Sequence, residues 1–420
     1  MDLLINHITN LVTVRALGSR FKRGKEMTDI GLIRDGAVGI DNERIVFVGT
    51  SSDVDESRAK YVINGKGKTV TPGFVDSHTH LVFAGTREHE FSLRNAGASY
   101  AEIHRSGGGI NNTVRATRSA SKEELLRLSL HRLDTCLSFG TTTVEIKSGY
   151  GLTFEHEVKM LEVIQELRER HVLDVVSTCL GAHTIPFDYK DRRQDYIAML
   201  LDQLIPYVAE HRLAEFVDVF CEEGAFSIDE GRSILQRAVD KGLGVKVHAD
   251  QLTSLGGSRL AAEFGAVSAD HLDHLSDEDI VAMKRSGTVA VVLPGVSLFL
   301  GLPMADARRL IEQGLPVAVA TDANPGSCMS ENIQLMMTVA GTMMHLTVEE
   351  IFTAVTLNAA AALRRSEILG SIEVGKQADL LIFDVPSYEM IPYHMGVNHL
   401  SCVIKRGRKV LDTMQEKFND

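Results

Sequence analysis

From residue 73 onward the chain alternates short β-branched and apolar runs with stretches of helical periodicity, and it does so eight times. The runs lie near 73–80, 141–146, 174–183, 215–221, 243–248, 266–271, 288–293 and 316–322. Strands separated by helical crossovers are parallel, so this pattern predicts an α/β architecture of βα units. Eight units suit a closed (β/α)8 TIM barrel, which typically takes about 250 residues, with a doubly wound open sheet as the alternative. The helices carry their own boundaries. Ser121-Lys122-Glu123-Glu124 has the S-x-x-E capping form, Leu126, Leu130, Leu133 and Leu137 follow at helical spacing, and Gly140 stops the segment. Ser227-Ile228-Asp229-Glu230 repeats the device, with Lys241-Gly242 as its end.

The flanks differ. Residues 1–70 give short extended runs such as Ile40 to Gly49, and the far end does the same at Ala378 to Asp384 and Ser401 to Gly407. Both ends are expected to pair into one small β-sandwich domain, residues 1–70 and 367–420, around a barrel of residues 71–366. A chain of 420 residues that is 44% hydrophobic can bury a large core. Its net charge of -12 argues against nucleic-acid or anionic-membrane partners, so an acidic substrate must meet local positive charge. Cys136, Cys179, Cys221, Cys328 and Cys402 are scattered and form no C-x-x-C pair, which fits a reducing cytoplasm without a disulfide framework or thiolate zinc site. The N-terminal run lacks the features of a signal peptide, and no segment has the apolar length of a membrane span.

Active sites of such barrels lie at the C-terminal strand ends, so polar residues there carry a functional weight that others do not. The first run ends in His78-Thr79-His80, the third in His183, the fifth in His248, the sixth in His271 and the eighth in Asp322. An H-x-H spacing alone is weak, since composition predicts about 0.6 such pairs by chance. The convergence of six metal-competent residues on five strand ends is what gives it meaning. His78, His80, His248 and Asp322 would offer three imidazoles and a carboxylate, a set that suits one zinc or iron ion and leaves room for water. Such an ion lowers the pKa of water toward neutrality, and a carboxylate beside it can take the proton and return it to a leaving nitrogen. Asp322 is the candidate for both roles. A second ion is not expected, because Phe216 to Cys221 on the fourth strand contains no lysine to carboxylate, and Lys147 reads as solvated or salt-bridged. Gly370 to Gln377 nearly matches a phosphate loop but has Gln377 at the hydroxyl position and a strand after it. Gly107-Gly108-Gly109 reads as a flexible loop, and no G-x-S-x-G elbow is present.

The run Pro72 to His80, with His248, His271, Asp322 and the closing Gly370 to Leu380, resembles the amidohydrolase superfamily over essentially the whole chain. Leu81 to Arg87, Lys147 to Leu152, Gly181-Ala182-His183 and His248 to Gln251 resemble the branch of that superfamily that opens imidazolone rings in histidine breakdown. The resemblance implies hydrolysis of the cyclic amide C–N bond of 4-imidazolone-5-propanoate to N-formimidoyl-L-glutamate. It also implies a single zinc or iron held by His78, His80, His248 and Asp322, and a homodimer. Arg87, Tyr150, His183, Gln251, Asn324, Gly326 and Ser327 would contact the small anionic heterocycle or its product.

The residue chemistry agrees with that. Arg87 offers a guanidinium for a propanoate tail, against the plain alternative of a surface salt bridge. His271 would activate water or stabilise an oxyanion, and His183 would grip the ring. Asn324-Pro325-Gly326-Ser327 could bind a new carboxylate through its amides and hydroxyl, or be an ordinary Pro-Gly turn. Two rivals remain. A deaminase of a nucleobase-like heterocycle usually has a titratable Glu where this chain has Gln251. A non-catalytic scaffold has little need to keep all four metal-competent residues.

Overall fold

Two sheets organise the chain in its computed structural model, which describes residues 1–97 and 108–413. Gly107 of the triglycine run and residues 414–420 of the expected sandwich therefore lie outside the described residues. The first flank gives β1 (Leu3–Leu11), β2 (Ile33–Asp41), β3 (Arg44–Thr50), β4 (Tyr61–Asn64) and β5 (Thr69–Pro72). Next come β6 (Phe74–Asp76), β7 (Thr141–Lys147), β8 (Asp174–Ala182), β9 (Phe216–Cys221), β10 (Gly244–Ala249), β11 (Ser268–His271), β12 (Val289–Val292) and β13 (Val317–Val319). The last flank supplies β14 (Leu380–Phe383), β15 (Leu400–Lys405) and β16 (Arg408–Asp412).

Strands β6 to β13 lie side by side in chain order, all parallel, as the alternation predicts. Contacts between the first and last strand ends close the ring. The Asp76 carboxylate accepts from the Thr321 amide (3.1 Å) and hydroxyl (2.6 Å), the Asp322 amide donates to the His78 carbonyl (3.0 Å), and the His80 amide donates to the Ala323 carbonyl (3.0 Å). The first and eighth strands are shorter than the sequence runs suggest, and beyond the eighth Asp322 has a φ of 50°. His78 and His80 thus sit just beyond β6, on chain bridged to the segment after β13. The helices are those the caps predict. Ser121 Oγ accepts the Glu124 amide at the start of Lys122–Ser138, and Ser227 and Glu230 form a reciprocal capping box on Ile228–Asp240.

Flanking strands from both chain ends form one mixed sheet, in the order β16-β15-β14-β5-β1-β2-β3, with β4 also on β1. The sheet folds back on itself. Ile45 donates to the Lys376 carbonyl and Ala378 to the Glu43 carbonyl (2.9 Å each), so the β2–β3 hairpin meets the approach to β14. Gly407, at a φ of 72°, lies where a Cβ would sit 2.9 Å from Ile40 Cγ2, so the β15–β16 turn requires glycine. Leu3, Ile5, Val38, Ile40, Ile63, Leu380, Ile382, Cys402 and Ile404 fill the core between the folded halves. All five cysteines are buried and unpaired. Among the described residues no helix is long and apolar enough to cross a membrane.

Candidate active site

Among the described residues, buried atoms of His78 (Nε2), His80 (Nδ1), His248 (Nδ1 and Nε2) and Asp322 (Oδ1) at the strand ends have no hydrogen-bond partner. Leaving one such atom buried and unsatisfied costs about 1–3 kcal/mol, so a cluster of them indicates a missing common partner. Asp322 Oδ1 lies 3.4 Å from both His78 Nε2 and His80 Nε2. Potential ligand atoms of His78, His80 and Asp322 fall within 4.8 Å of one another, and so do those of His78, His248 and His271. The expected four therefore occur as two overlapping groups that share His78, with His271 joining the second. Burial holds the pKa of His78, His80 and His248 well below the usual imidazole value, which leaves their lone pairs free for a cation. Burial also raises Asp322 well above the carboxylate range, so a cation beside it is what would keep it ionised. The donor set fits a divalent metal.

Below these donors the barrel interior holds a buried ionic network that sequence reasoning missed. His78 Nδ1 is 2.6 Å from Asp270 Oδ2, and His248 Nδ1 is 3.0 Å from Asp218 Oδ2. Lys147 Nζ then reaches Asp218 (2.8 Å), Glu145 (2.9 Å) and Asp270 (3.4 Å), while Lys246 Nζ reaches Glu145 at 2.8 Å. Lys147 is thus salt-bridged, not solvated. Burial works against its charge, yet Asp218, Glu145 and Asp270 together hold its pKa above the usual lysine value. Carboxylates that hold the second nitrogen of a metal-ligating histidine orient the ring and raise its basicity. The signal was present in the sequence: Glu145, Lys147, Asp218, Lys246 and Asp270 place full charges within short β-branched and apolar runs, and the strands they sit on are almost entirely buried.

Of the expected substrate residues, His183 and Tyr150 stand directly beside the metal-competent histidines. His183 stacks on His80 with centroids 5.4 Å apart, and the Tyr150 ring is 5.5 Å from His183. His183 Nδ1 is 3.0 Å from the Gly149 carbonyl, which can only accept, so Nδ1 carries the proton and Nε2 is left as an acceptor. His271, at a φ of 82°, has its ring 5.2 Å from His248. Arg87 Nε donates to Glu90 Oε2 at 2.9 Å. The Arg87 Nη1 lies so near Gly326 that a Cβ there would be 2.1 Å away, which explains that glycine. Arg94, also missed, points Nη1 at the Gly326 carbonyl at 3.4 Å. In the Asn324–Ser327 turn the amides of Gly326 and Ser327 both donate to Asn324 Oδ1 at 2.8 Å, and Asn324 Nδ2 donates to the Asp322 carbonyl at 2.7 Å. Those amides are taken up within the turn, where the Asn324 side chain competes for them locally. Gln251 is half-buried on the loop after β10, whose backbone is pinned by Asp250 and Glu222.

Acid should weaken this site and the fold together. Burial pushes His183 and His271 down to about 4, whereas an unfolded chain takes up these protons near 6.5. Stability is therefore full above about pH 6.5 and falls as pH drops toward 4, by up to about 1.4 kcal/mol per pH unit for each imidazole. Urea midpoints at pH 7.5 and pH 5 check this, and an unchanged midpoint would contradict it.

Comparison with known proteins agrees with the geometry. A family described as "Amidohydrolase family" matches residues 69–410. The chain is 50% identical to the imidazolonepropionase of Alkaliphilus oremlandii and 47% identical to that of Geobacillus kaustophilus, each time with 98% of both chains covered. An adenosine deaminase from Xanthomonas campestris with bound zinc superposes with a TM-score of 0.72 at 18% identity, covering 98% of this chain and 93% of that one. A triazine hydrolase superposes with a TM-score of 0.72 at 16% identity, covering 100% and 96%. At such identities these two establish the barrel alone. With near-complete relatives at half identity and a family match over the barrel, the chain belongs to the amidohydrolase family.

Proposed function

We propose that the chain hydrolyses the cyclic amide C–N bond of 4-imidazolone-5-propanoate to N-formimidoyl-L-glutamate, the reaction its relatives' name describes. The observation that carries this reading is the set of orphaned His and Asp donors at the strand ends, with the Arg87 guanidinium set against Gly326, four residues beyond Asp322. One zinc or iron ion per subunit would be held by His78, His80, His248 and Asp322, with His271 adjoining. When bound, the ion supplies Lewis acidity that brings the pKa of a water toward neutrality and polarises the ring carbonyl. Arg87 pairs with the propanoate, and Glu90 aims it. His183 Nε2 accepts a ring N–H, and Tyr150 packs beside it. As water adds to the ring carbonyl, the Asp322 carboxylate takes its proton and delivers it to the ring nitrogen when the C–N bond breaks. His271 orients the water or donates to the developing oxyanion. Gln251 hydrogen-bonds but cannot shuttle protons, which disfavours deamination. The relationship also supports a homodimer acting in the cytoplasm, and a division into a barrel of residues 71–366 and a flanking β unit.

The test follows ultraviolet loss of imidazolonepropanoate alongside assays for formiminoglutamate and ammonia. Equimolar formiminoglutamate without ammonia is expected; ammonia without ring-opened product would overturn the reading. Arg87→Gln should raise KM about 10- to 100-fold with kcat within a few-fold, because it removes a charged hydrogen bond of about 1.5–3 kcal/mol made equally in ground and transition states. An unchanged KM would remove Arg87 from the carboxylate site.

A further inference from the structure

Glu157, on the helix Phe154–Arg170, is completely buried. Among the described residues no lysine or arginine forms an ion pair with it. Its carboxylate instead accepts the backbone amides of Gly149 (3.1 Å), Gly151 (2.8 Å) and Leu152 (2.8 Å). The Ser148 hydroxyl adds a fourth donor, and a buried carboxylate held by neutral donors alone is costly unless the geometry it imposes is needed. From the other side Arg118 Nε donates to the Gly151 carbonyl (2.7 Å) and its Nη2 to the Leu152 carbonyl (3.1 Å). Residues 149–152 are thus gripped at both their amides and their carbonyls. The grip is built into the sequence: Gly149 has a φ of 105°, with a Cβ position 2.9 Å from the Leu180 carbonyl oxygen and 3.0 Å from His183 Nδ1. At Gly151 a Cβ would stand 2.5 Å from the Glu157 amide nitrogen.

The gripped segment carries Tyr150, and its Gly149 carbonyl is the group that fixes the proton on His183 Nδ1. We propose that Glu157 is a positioning residue for recognition of the heterocyclic ring, acting with Arg118 through the 149–152 backbone to seat Tyr150 and set the His183 tautomer. The inference rests on the reading that Tyr150 and His183 meet the substrate. It assigns Glu157 no contact with substrate and no part in proton transfer.

Metal-loaded full-length Glu157→Gln and Arg118→Gln chains test it. Glutamine keeps the volume of Glu157 but replaces one carboxylate oxygen by an NH2, which faces the Gly149 amide if the remaining oxygen stays on Gly151 and Leu152. Both variants should keep the metal content of the unsubstituted chain, since neither residue touches a metal-competent side chain. KM for imidazolonepropanoate should rise about tenfold or more in Glu157→Gln, given that a 1 Å misplacement can cost about 10²-fold, and by less in Arg118→Gln. In 15N-histidine spectra, with the His183 signal identified by its loss in His183→Gln, the Nδ1–H tautomer should give way to a mixture in Glu157→Gln. A KM within twofold of the unsubstituted chain, or an unchanged His183 tautomer, overturns the proposal. Should Glu157→Gln not fold, Arg118, which lies nearer the surface with its side chain 13% exposed, carries the same two readouts, and no change in either overturns it. The tautomer measurement needs no substrate, so a failure of the unsubstituted chain to open imidazolonepropanoate would sink the functional reading separately.

Discussion

His78→Ala is expected to hold less than a tenth of the transition metal bound by the unsubstituted chain and to open the imidazolone ring about 10³-fold or more slowly. The effect should exceed that of any other single histidine because His78 is the one shared by both donor groups, near His80 and Asp322 on one side and His248 and His271 on the other. It is also the histidine most tightly oriented from below, with Nδ1 2.6 Å from Asp270. Losing a partner that only orients a metal-ligating histidine typically costs 10- to 100-fold, so loss of the central imidazole itself should cost more. Metal analysis after exhaustive dialysis, beside the ring-opening rate, gives both quantities. His131→Ala, on the exposed face of Lys122–Ser138, serves as the control and should change neither. Full activity in His78→Ala would remove the metal assignment, and normal metal content without activity would move His78 from holding the ion to acting on the substrate.

Much of this site could be read before any coordinates. The barrel follows from eight repeats of a pattern with few other solutions, and a strand followed by a helix fixes which strand end bears polar side chains. His78, His80, His183, His248, His271 and Asp322 all arrive at one mouth because each stands at the end of such a run. What lay beyond the sequence were pairings set by register. Val247 lies beside Val219, which puts Lys246 next to Asp218 and His248 next to Phe220, and nothing local to either strand says so. The same holds for the turn at Asn324, whose side chain competes for the Gly326 and Ser327 amides, and for Glu157, which on sequence alone is one more charge on an amphipathic helix. Charged residues inside apolar strands were the readable warning, because a closed barrel has no solvent on its inner face to receive them.

Lys147→Met should destabilise the fold by about 3–5 kcal/mol, read as a lowered urea midpoint on the metal-free protein. Methionine keeps most of the aliphatic stem, so the loss comes from charge and not from a cavity. Without the Lys147 ammonium, the carboxylates of Glu145, Asp218 and Asp270 face Lys246 alone in a core that excludes water. Their mutual repulsion is then uncompensated, which is how removing one partner from a buried network becomes expensive. Adding Asp218→Asn to Lys147→Met removes one of the stranded charges, and the double variant should recover part of the stability, a non-additive result of about 1 kcal/mol or more. Activity should not recover with it. Asp218 Oδ2 is the group 3.0 Å from His248 Nδ1, so the substitution that relieves the core also loosens a metal-competent imidazole. If stability and metal binding return together in the double variant, the network is only a way of tolerating buried charge; if stability returns alone, its carboxylates are there to aim the histidines.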